Sequence, residues 1–122
     1  MKVAVTSQGD RLDSPLDPRF GRAAYILFVE TQTLEFEAFD NTGNRNAFKG
    51  SGIQAAAMIC DKEAEVLITG FCGPNAFKTL ETAGIKVVSG QAGRVIDAVQ
   101  TFKQGNAVYA TAANADAHWH GA

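Results

Sequence analysis

Residues 66–88, VLITGFCGPNAFKTLETAGIKVV, decide the fold. Val66-Leu67-Ile68-Thr69 is a short apolar run of the kind buried on both faces of a sheet, and it ends at Gly70. Gly73-Pro74 opens a helix with proline at its favoured first position. Ala76, Phe77, Leu80 and Ala83 supply the inner face of that helix, and Gly84 stands where a C′ residue belongs. Ile85 to Val88 is a second strand. Together they form a βαβ unit, whose right-handed crossover makes the two strands parallel.

Upstream, Ile53, Ala56, Ala57 and Cys60 fall at i, i+3, i+4 and i+7, which predicts a helix buried on that face, with Ser51 as its N-cap. A polar loop, Asp40 to Gly52, precedes it. Tyr25–Glu30 (YILFVE) reads as a buried strand and Leu34–Phe39 (LEFEAF) as an alternating one. The link Thr31-Gln32-Thr33 between them predicts an antiparallel hairpin. Val3-Ala4-Val5 is the first strand, and residues 7–24, broken by Pro15, Pro18 and Gly21, form a long loop. Downstream, Val95, Ala98, Val99 and Phe102 give the last helix its stripe, closed by Gly105. The order β-β-β-α-β-α-β-α predicts an α/β fold: a five-stranded mixed sheet with three helices. A single domain spans 1–105, and residues 106–122, aperiodic and rich in Ala and Asn, are expected to be a mobile tail.

The chain's 122 residues suit one domain. Lys and Arg total 11 against 13 Asp and Glu, for a net charge of −2, which excludes a generally basic coat for nucleic acid. The longest apolar runs fall well short of the 18 residues of a membrane span. Met1–Thr6 is too short and too polar for a secretory h-region, so a cytoplasmic protein is expected. Two cysteines make no disulfide framework.

Strand directions gather the loops. If the strands at 66 and 85 run parallel to the first, then 7–24, 40–52, 70–74 and 89–94 share one edge, outside the strands' carboxyl ends where open α/β sheets bind ligands. The three helices start there, at Gly50-Ser51-Gly52, at Gly73-Pro74-Asn75 and at Gly90 to Gly93, with free N–H groups and positive dipole ends that favour an anion. Arg11, Arg19, Arg22, Arg45, Lys49 and Arg94 lie in or beside these loops. A helix end contributes about 0.3–1 kcal/mol, up to about 2 when partly buried. A micromolar ligand needs about 8 kcal/mol, so arginine hydrogen bonds or a coordinating side chain must add to it. The plainer reading pairs each arginine with Asp10, Asp13 or Asp17 of the same loop.

Leu12-Asp13-Ser14-Pro15, then Asp17-Pro18-Arg19-Phe20-Gly21-Arg22-Ala23, resembles the amino-terminal signature of the dinitrogenase iron–molybdenum cofactor biosynthesis family. So do Gly50-Ser51-Gly52-Ile53-Gln54-Ala55-Ala56 and Gly73-Pro74-Asn75-Ala76-Phe77, with Ala83-Gly84-Ile85-Lys86-Val87 after it. The resemblance implies a ribonuclease-H-like sheet and a non-catalytic protein that holds or ferries an anionic metal–sulfur cluster. The cluster it implies is molybdenum–copper–sulfide, as in stand-alone members from anaerobes, or an iron–molybdenum–sulfur cofactor precursor, with a cluster donor or acceptor protein as partner. Some cofactor-carrying members have His before the Phe-Gly pair. Arg19 stands there in this chain, which points to electrostatic holding rather than ligation. A monomer or weak dimer is expected, with no nucleic-acid or membrane partner.

The cofactor-binding candidates are therefore Arg19, Phe20, Gly21, Arg22, Arg45, Gly50, Ser51, Gly52, Cys72, Gly73, Asn75, Gly90 and Gly93. Cys72, at a strand's carboxyl end before a helix start, is placed to have an exposed, acidified thiol that ligates a soft metal; the alternative is a small apolar group filling a turn. Cys60 belongs to the apolar stripe. His118 and His120, flanking Trp119, offer imidazoles to copper or nickel, or simply end the tail. Phe20 and Phe48 either shield a cluster from water or anchor their loops. Two other classes compete. The same N–H groups and arginines suit phosphate or a small anionic effector, though no GxxxxGK[ST] is present. A metal-dependent nuclease needs carboxylates converging from neighbouring strands, and Lys2–Thr6, Val66–Thr69 and Ile85–Val88 carry none.

Overall fold

A computed structural model describes residues 1–45, with side chains to Gly43, and 50–115. The strands are β1 (Lys2–Ser7), β2 (Tyr25–Glu30), β3 (Phe36–Asp40), β4 (Val66–Ile68) and β5 (Lys86–Val88). The helices are a single turn, α1 (Thr42–Arg45), and three longer ones, α2 (Ser51–Asp61), α3 (Pro74–Thr82) and α4 (Val95–Lys103). The sheet order is β3-β2-β1-β4-β5. β1 pairs antiparallel with β2 and parallel with β4, β2 pairs antiparallel with β3, and β4 pairs parallel with β5. This is the mixed five-stranded, three-helix fold that the sequence predicts, with the ribonuclease-H-like strand order that the family resemblance implies.

Alternation along each strand divides the core in two. Ala4, Ile26, Phe28, Leu67 and Val87 face α2 and α3, meeting Ala55, Ala56, Ile59, Ala76, Phe77 and Leu80. Val3, Val5, Leu27, Val29, Val66, Ile68 and Val88 face the other way, toward Leu16 and α4's Val95, Ala98 and Val99. The long 8–24 loop thus contributes Leu16 to the second core beside α4.

Local signals place the helix ends. Pro74 follows the Gly73 N-cap of α3, and Gly84 (φ 80°) follows its C-cap, Ala83. Gly105 (φ 76°) does the same for α4. Three expectations need correction. The N-cap of α2 is Gly50 (φ 79°), not Ser51, which is the helix's first residue and buried. The buried face of α2 is Gly52, Ala55, Ala56 and Ile59, while Ile53 is 47% exposed and Cys60 half-buried at the core's fringe. Small residues let this helix approach its neighbours, and that contact outweighs the size of Ile53. In the hairpin, Leu34 joins the turn (φ 63°), its N–H donating to Glu30 O at 2.8 Å, so β3 begins at Phe36.

Ala107 packs on one core and Ala110 and Ala113 on the other. Ala110 N–H donates to Val87 O at 2.7 Å, along the outer side of β5. Ala107, Ala110 and Ala113 are thus points of contact in a segment whose intervening residues are exposed, Val108 to 81%. Residues 116–122 lie outside the described residues.

Candidate functional site

β1, β4 and β5 run in one direction and β3 runs with them, so the loops 8–24, 69–73 and 89–94 and the described residues 41–45 after β3 all lie at the carboxyl edge of the parallel strands. They are stitched together there. Isolated bridges join Ser7 to Leu16, Pro15 to Arg94 and Arg19 to Phe71. Phe71 N–H donates to Pro18 O at 2.7 Å, and Phe20 N–H returns to Phe71 O at 3.3 Å. Beneath them the buried Thr6 hydroxyl donates to Asp17 O at 2.7 Å and shares a 2.8 Å hydrogen bond with the Thr69 hydroxyl.

The Arg19–Ala23 turn is the part held most firmly. The Asp17 carboxylate, 2% exposed, accepts Arg19 N–H at 3.0 Å and Ala24 N–H at 3.3 Å, and Arg19 Nε lies 3.5 Å away. Asn41 Nδ2 donates to Gly21 O at 3.3 Å and Ala23 O at 2.9 Å. Two glycines permit the contacts. A Cβ on Gly21 would stand 2.6 Å from Gly52 N, at the start of α2. A Cβ on Gly70 would stand 2.7 Å from Pro18 Cα. The turn carrying Arg19 and Arg22 therefore abuts both the α2 N-terminus and the β4–α3 loop.

Helix starts at this edge are not equivalent. Among the described residues, no acceptor meets the N–H groups of Ser51, Gly52 and Ile53 in α2, or of Asn75 and Ala76 in α3. The first turn of α4 differs: Val95 N–H donates to Ser14 O at 3.0 Å and Ile96 N–H to Leu12 O at 2.8 Å. The 8–24 loop thus consumes the donors expected for an anion. Gly90 (φ 73°) and Gly93 (φ 86°) serve the same stitching, through Gly90 N–H to Gly70 O at 2.7 Å and Leu16 N–H to Gly93 O at 2.8 Å. They belong to the scaffold of the edge, and the α4 start is not an open anion site.

Several arginines take the plainer role. Arg11 lies 3.6 Å from Asp13, and Arg94 pairs with Asp97 through contacts of 3.0 and 3.2 Å. That pair raises the Arg94 pKa and lowers that of Asp97, chiefly through the side-chain hydrogen bond. Arg19 shares this role in part, its Nε 3.5 Å from the Asp17 carboxylate while its side chain stays 36% exposed, and half-buried Arg22 lies in the same turn between α2 and the β4–α3 loop. The Arg45 side chain, Phe48, Lys49, His118, Trp119 and His120 lie outside the described residues.

Cys72 departs from its expected character. It is fully buried, and burial pushes its thiol up to about 12. The Sγ–H points to Gly73 O at 3.8 Å. An exposed, acidified thiol is absent because the residue turns inward among Phe20, Ala76 and Phe77 of the first core. Phe20 is likewise fully buried and anchors its loop. Among the described residues, the aromatic ring at the surface of this edge is Phe71, 42% exposed, which sequence reading passed over. Its signal was available: an aromatic between Gly70 and Cys72, at the end of a strand too short to bury it. Among the described residues no group of three His, Cys, Asp or Glu side chains could hold a metal ion. The edge offers amide donors, guanidinium groups and an aromatic face. That set suits an anion held by hydrogen bonds and charge rather than a ligated cation.

Residues 1–105 match the family model described as dinitrogenase iron-molybdenum cofactor. The chain is similar to the apo form of the orange protein from Desulfovibrio gigas, with 42% identity over 93% of this chain and 96% of that one and a TM-score of 0.91. It is also similar to a Thermotoga protein of the DUF35 family, at 34% identity over 88% and 91% of the two chains and a TM-score of 0.76. A Methanocaldococcus jannaschii structure, at 15% identity over 92% and 96% of the two chains and a TM-score of 0.70, shares the fold. No curated protein matches the chain.

Proposed function

The chain belongs to the dinitrogenase iron-molybdenum cofactor family, and on that premise we propose that it is a non-catalytic protein that binds and carries an anionic metal–sulfur cluster. The cargo is a molybdenum-containing cluster, either molybdenum–copper–sulfide or an iron–molybdenum–sulfur precursor. The observation that carries this reading is the convergence at one sheet edge of the α2 and α3 N-termini with the turn bearing Arg19 and Arg22. Two helix ends and two charge-assisted arginine contacts together supply about 4–10 kcal/mol, which brackets the roughly 8 kcal/mol of a micromolar complex. Phe71 excludes water from one side of the cluster, and lower local polarity strengthens each ionic hydrogen bond.

The test is metal analysis and an ultraviolet–visible spectrum of protein purified without oxygen, with tetrathiomolybdate and copper(I) then added to the apo form. Charge-transfer bands that stay with the protein through gel filtration, together with molybdenum in the analysis, are expected. A colourless protein that takes up no thiomolybdate but binds inorganic phosphate at the same loops would replace this reading with a phosphate-binding module.

A further inference from the structure

The two edges of the sheet differ. At β5, the C-terminal segment lies along the strand, with Ala110 N–H on Val87 O at 2.7 Å. β3 forms the other edge. Asn41 N–H donates to Ala24 O at 2.9 Å at one end of the β2–β3 ladder, and Glu30 N–H donates to Glu35 O at 2.8 Å at the other. Antiparallel ladders alternate, so Glu37 and Phe39 turn their main-chain groups toward β2 while Phe36, Ala38 and Asp40 turn theirs outward. Among the described residues nothing pairs with those outward groups. Beside them a trough of about 450 Å³ runs between β3 and the 10–13 segment, lined by Asp10, Arg11, Leu12, Asp13 and Phe36. Phe36 is 43% exposed in its wall.

The charge around this edge selects the occupant. Glu37 and Asp40 lie on β3, Glu35 just before it, and Asp10 and Asp13 along the trough; the cations near them are Arg11, engaged by Asp13, Lys62, engaged by Glu37 at 2.8 Å, Lys2, close enough to lower the Glu37 pKa, and Arg94, near Asp13 but engaged by Asp97. Pairing β3 with β3 of a second copy would bring these carboxylates together, which edge strands use to block self-association. We propose that β3 is a docking edge for an extended, basic segment of a partner protein, added as a sixth strand. The partner's main chain meets the outward N–H and C=O groups of Phe36, Ala38 and Asp40, as in other strand additions. A lysine or arginine on the trough side lies over the Phe36 ring between Asp10 and Asp13. The opposite face of the same strand already has this arrangement, with Lys62 Nζ 5.4 Å from the centroid of Phe39. The inference does not depend on the nature of the cargo.

The probe is the peptide acetyl-Lys-Val-Lys-Val-Lys-Val-amide, titrated into the full chain and followed by amide NMR. Shifts at residues 36–40 and 10–13 are expected, with affinity about tenfold tighter than for the Glu-Val counterpart and falling as salt is added. Ala38→Pro removes an outward N–H that β2 does not use and should abolish binding with the remaining spectrum intact. Asp10→Asn with Asp13→Asn, in the exposed loop, should weaken binding while leaving the fold unchanged. The proposal is overturned if the basic peptide causes no shifts, if it shifts the 18–24 and 70–75 segments instead, or if the acidic peptide binds equally well. Concentration-dependent shifts along β3 without peptide would overturn it in favour of a second copy of the chain.

Discussion

Asn114 holds the Cys72 residue at both its main-chain groups. Its Oδ1 accepts Cys72 N–H at 2.8 Å, and its own N–H donates to Cys72 O at 3.2 Å. Its Nδ2 reaches Gly70 O at 2.9 Å. The C-terminal segment therefore braces the β4–α3 loop, and with it the start of α3.

Asn114→Ala removes two side-chain hydrogen bonds. At about 0.5–1.5 kcal/mol each, the expected loss is about 1–3 kcal/mol in urea unfolding. A thiol reagent should reach Cys72 faster in this variant, while half-buried Cys60 reacts at its former rate. Unchanged Cys72 reactivity together with unchanged stability would show that the brace contributes nothing.

The Cys72 thiol links stability to alkaline pH. Its pKa rises from the ordinary 9.0 to about 12 in the folded chain because burial disfavours the thiolate. Below about pH 9 both states hold the proton and the linkage is silent. Between about 9 and 12 the unfolded chain releases it while the native chain keeps it, so stability falls by up to about 1.4 kcal/mol per pH unit. Denaturation midpoints of wild type and Cys72→Ala, compared across this window, should show a steeper decline in the wild type.

The same residue separates ligation from electrostatic holding. A thiol turned into the core is not presented to the cargo, so Cys72→Ser should retain the charge-transfer spectrum, and binding should weaken with salt. A colourless variant that folds like the wild type would assign Cys72 as a ligand.

Arg22→Ala should weaken cluster binding by about 1.5–3 kcal/mol, the value of a charge-assisted contact. Lys103, exposed in the last turn of α4 at the far edge of the sheet, is the control. Equal affinities for Arg22→Ala and Lys103→Ala at one ionic strength would remove Arg22 from the site.

Gly21→Ala and Gly70→Ala press a methyl group against main chain, at 2.6 Å from Gly52 N and 2.7 Å from Pro18 Cα. Each is expected to destabilise the fold by about 1–3 kcal/mol. Gly43→Ala, where a Cβ meets nothing within 4 Å, should be neutral or stabilising by up to about 1 kcal/mol. Thermal melts of the three variants check the ranking.

Periodicity and punctuation along the chain were sufficient for the strands, the three longer helices, the β2–β3 hairpin and the parallel βαβ pair, whereas the parallel pairing of β4 with β1, on which the gathering of the loops at one edge depended, came from the sheet itself. Gly73-Pro74, Gly84 and Gly105 mark helix ends because proline and left-handed glycine act through local backbone geometry, which needs no partner. The candidate arginines were legible as residues, but their roles depended on neighbours. Arg94 could be assigned to the scaffold only by finding Asp97 within hydrogen-bonding distance of its guanidinium. The buried face of α2 was misphased for a related reason: in a helix of alanines, the face that packs is set by how closely Gly21 approaches Gly52, not by the position of the one isoleucine. Tertiary contact also decided which helix starts keep their N–H groups, since the carbonyls of Leu12 and Ser14 come from a loop some eighty residues before α4. It placed Asn114 as well, whose stretch carries no hydrophobic period because its order comes from hydrogen bonds to Gly70 and Cys72. Local chemistry thus wrote the elements, and long-range donor–acceptor pairing decided what remains available at the edge where they meet.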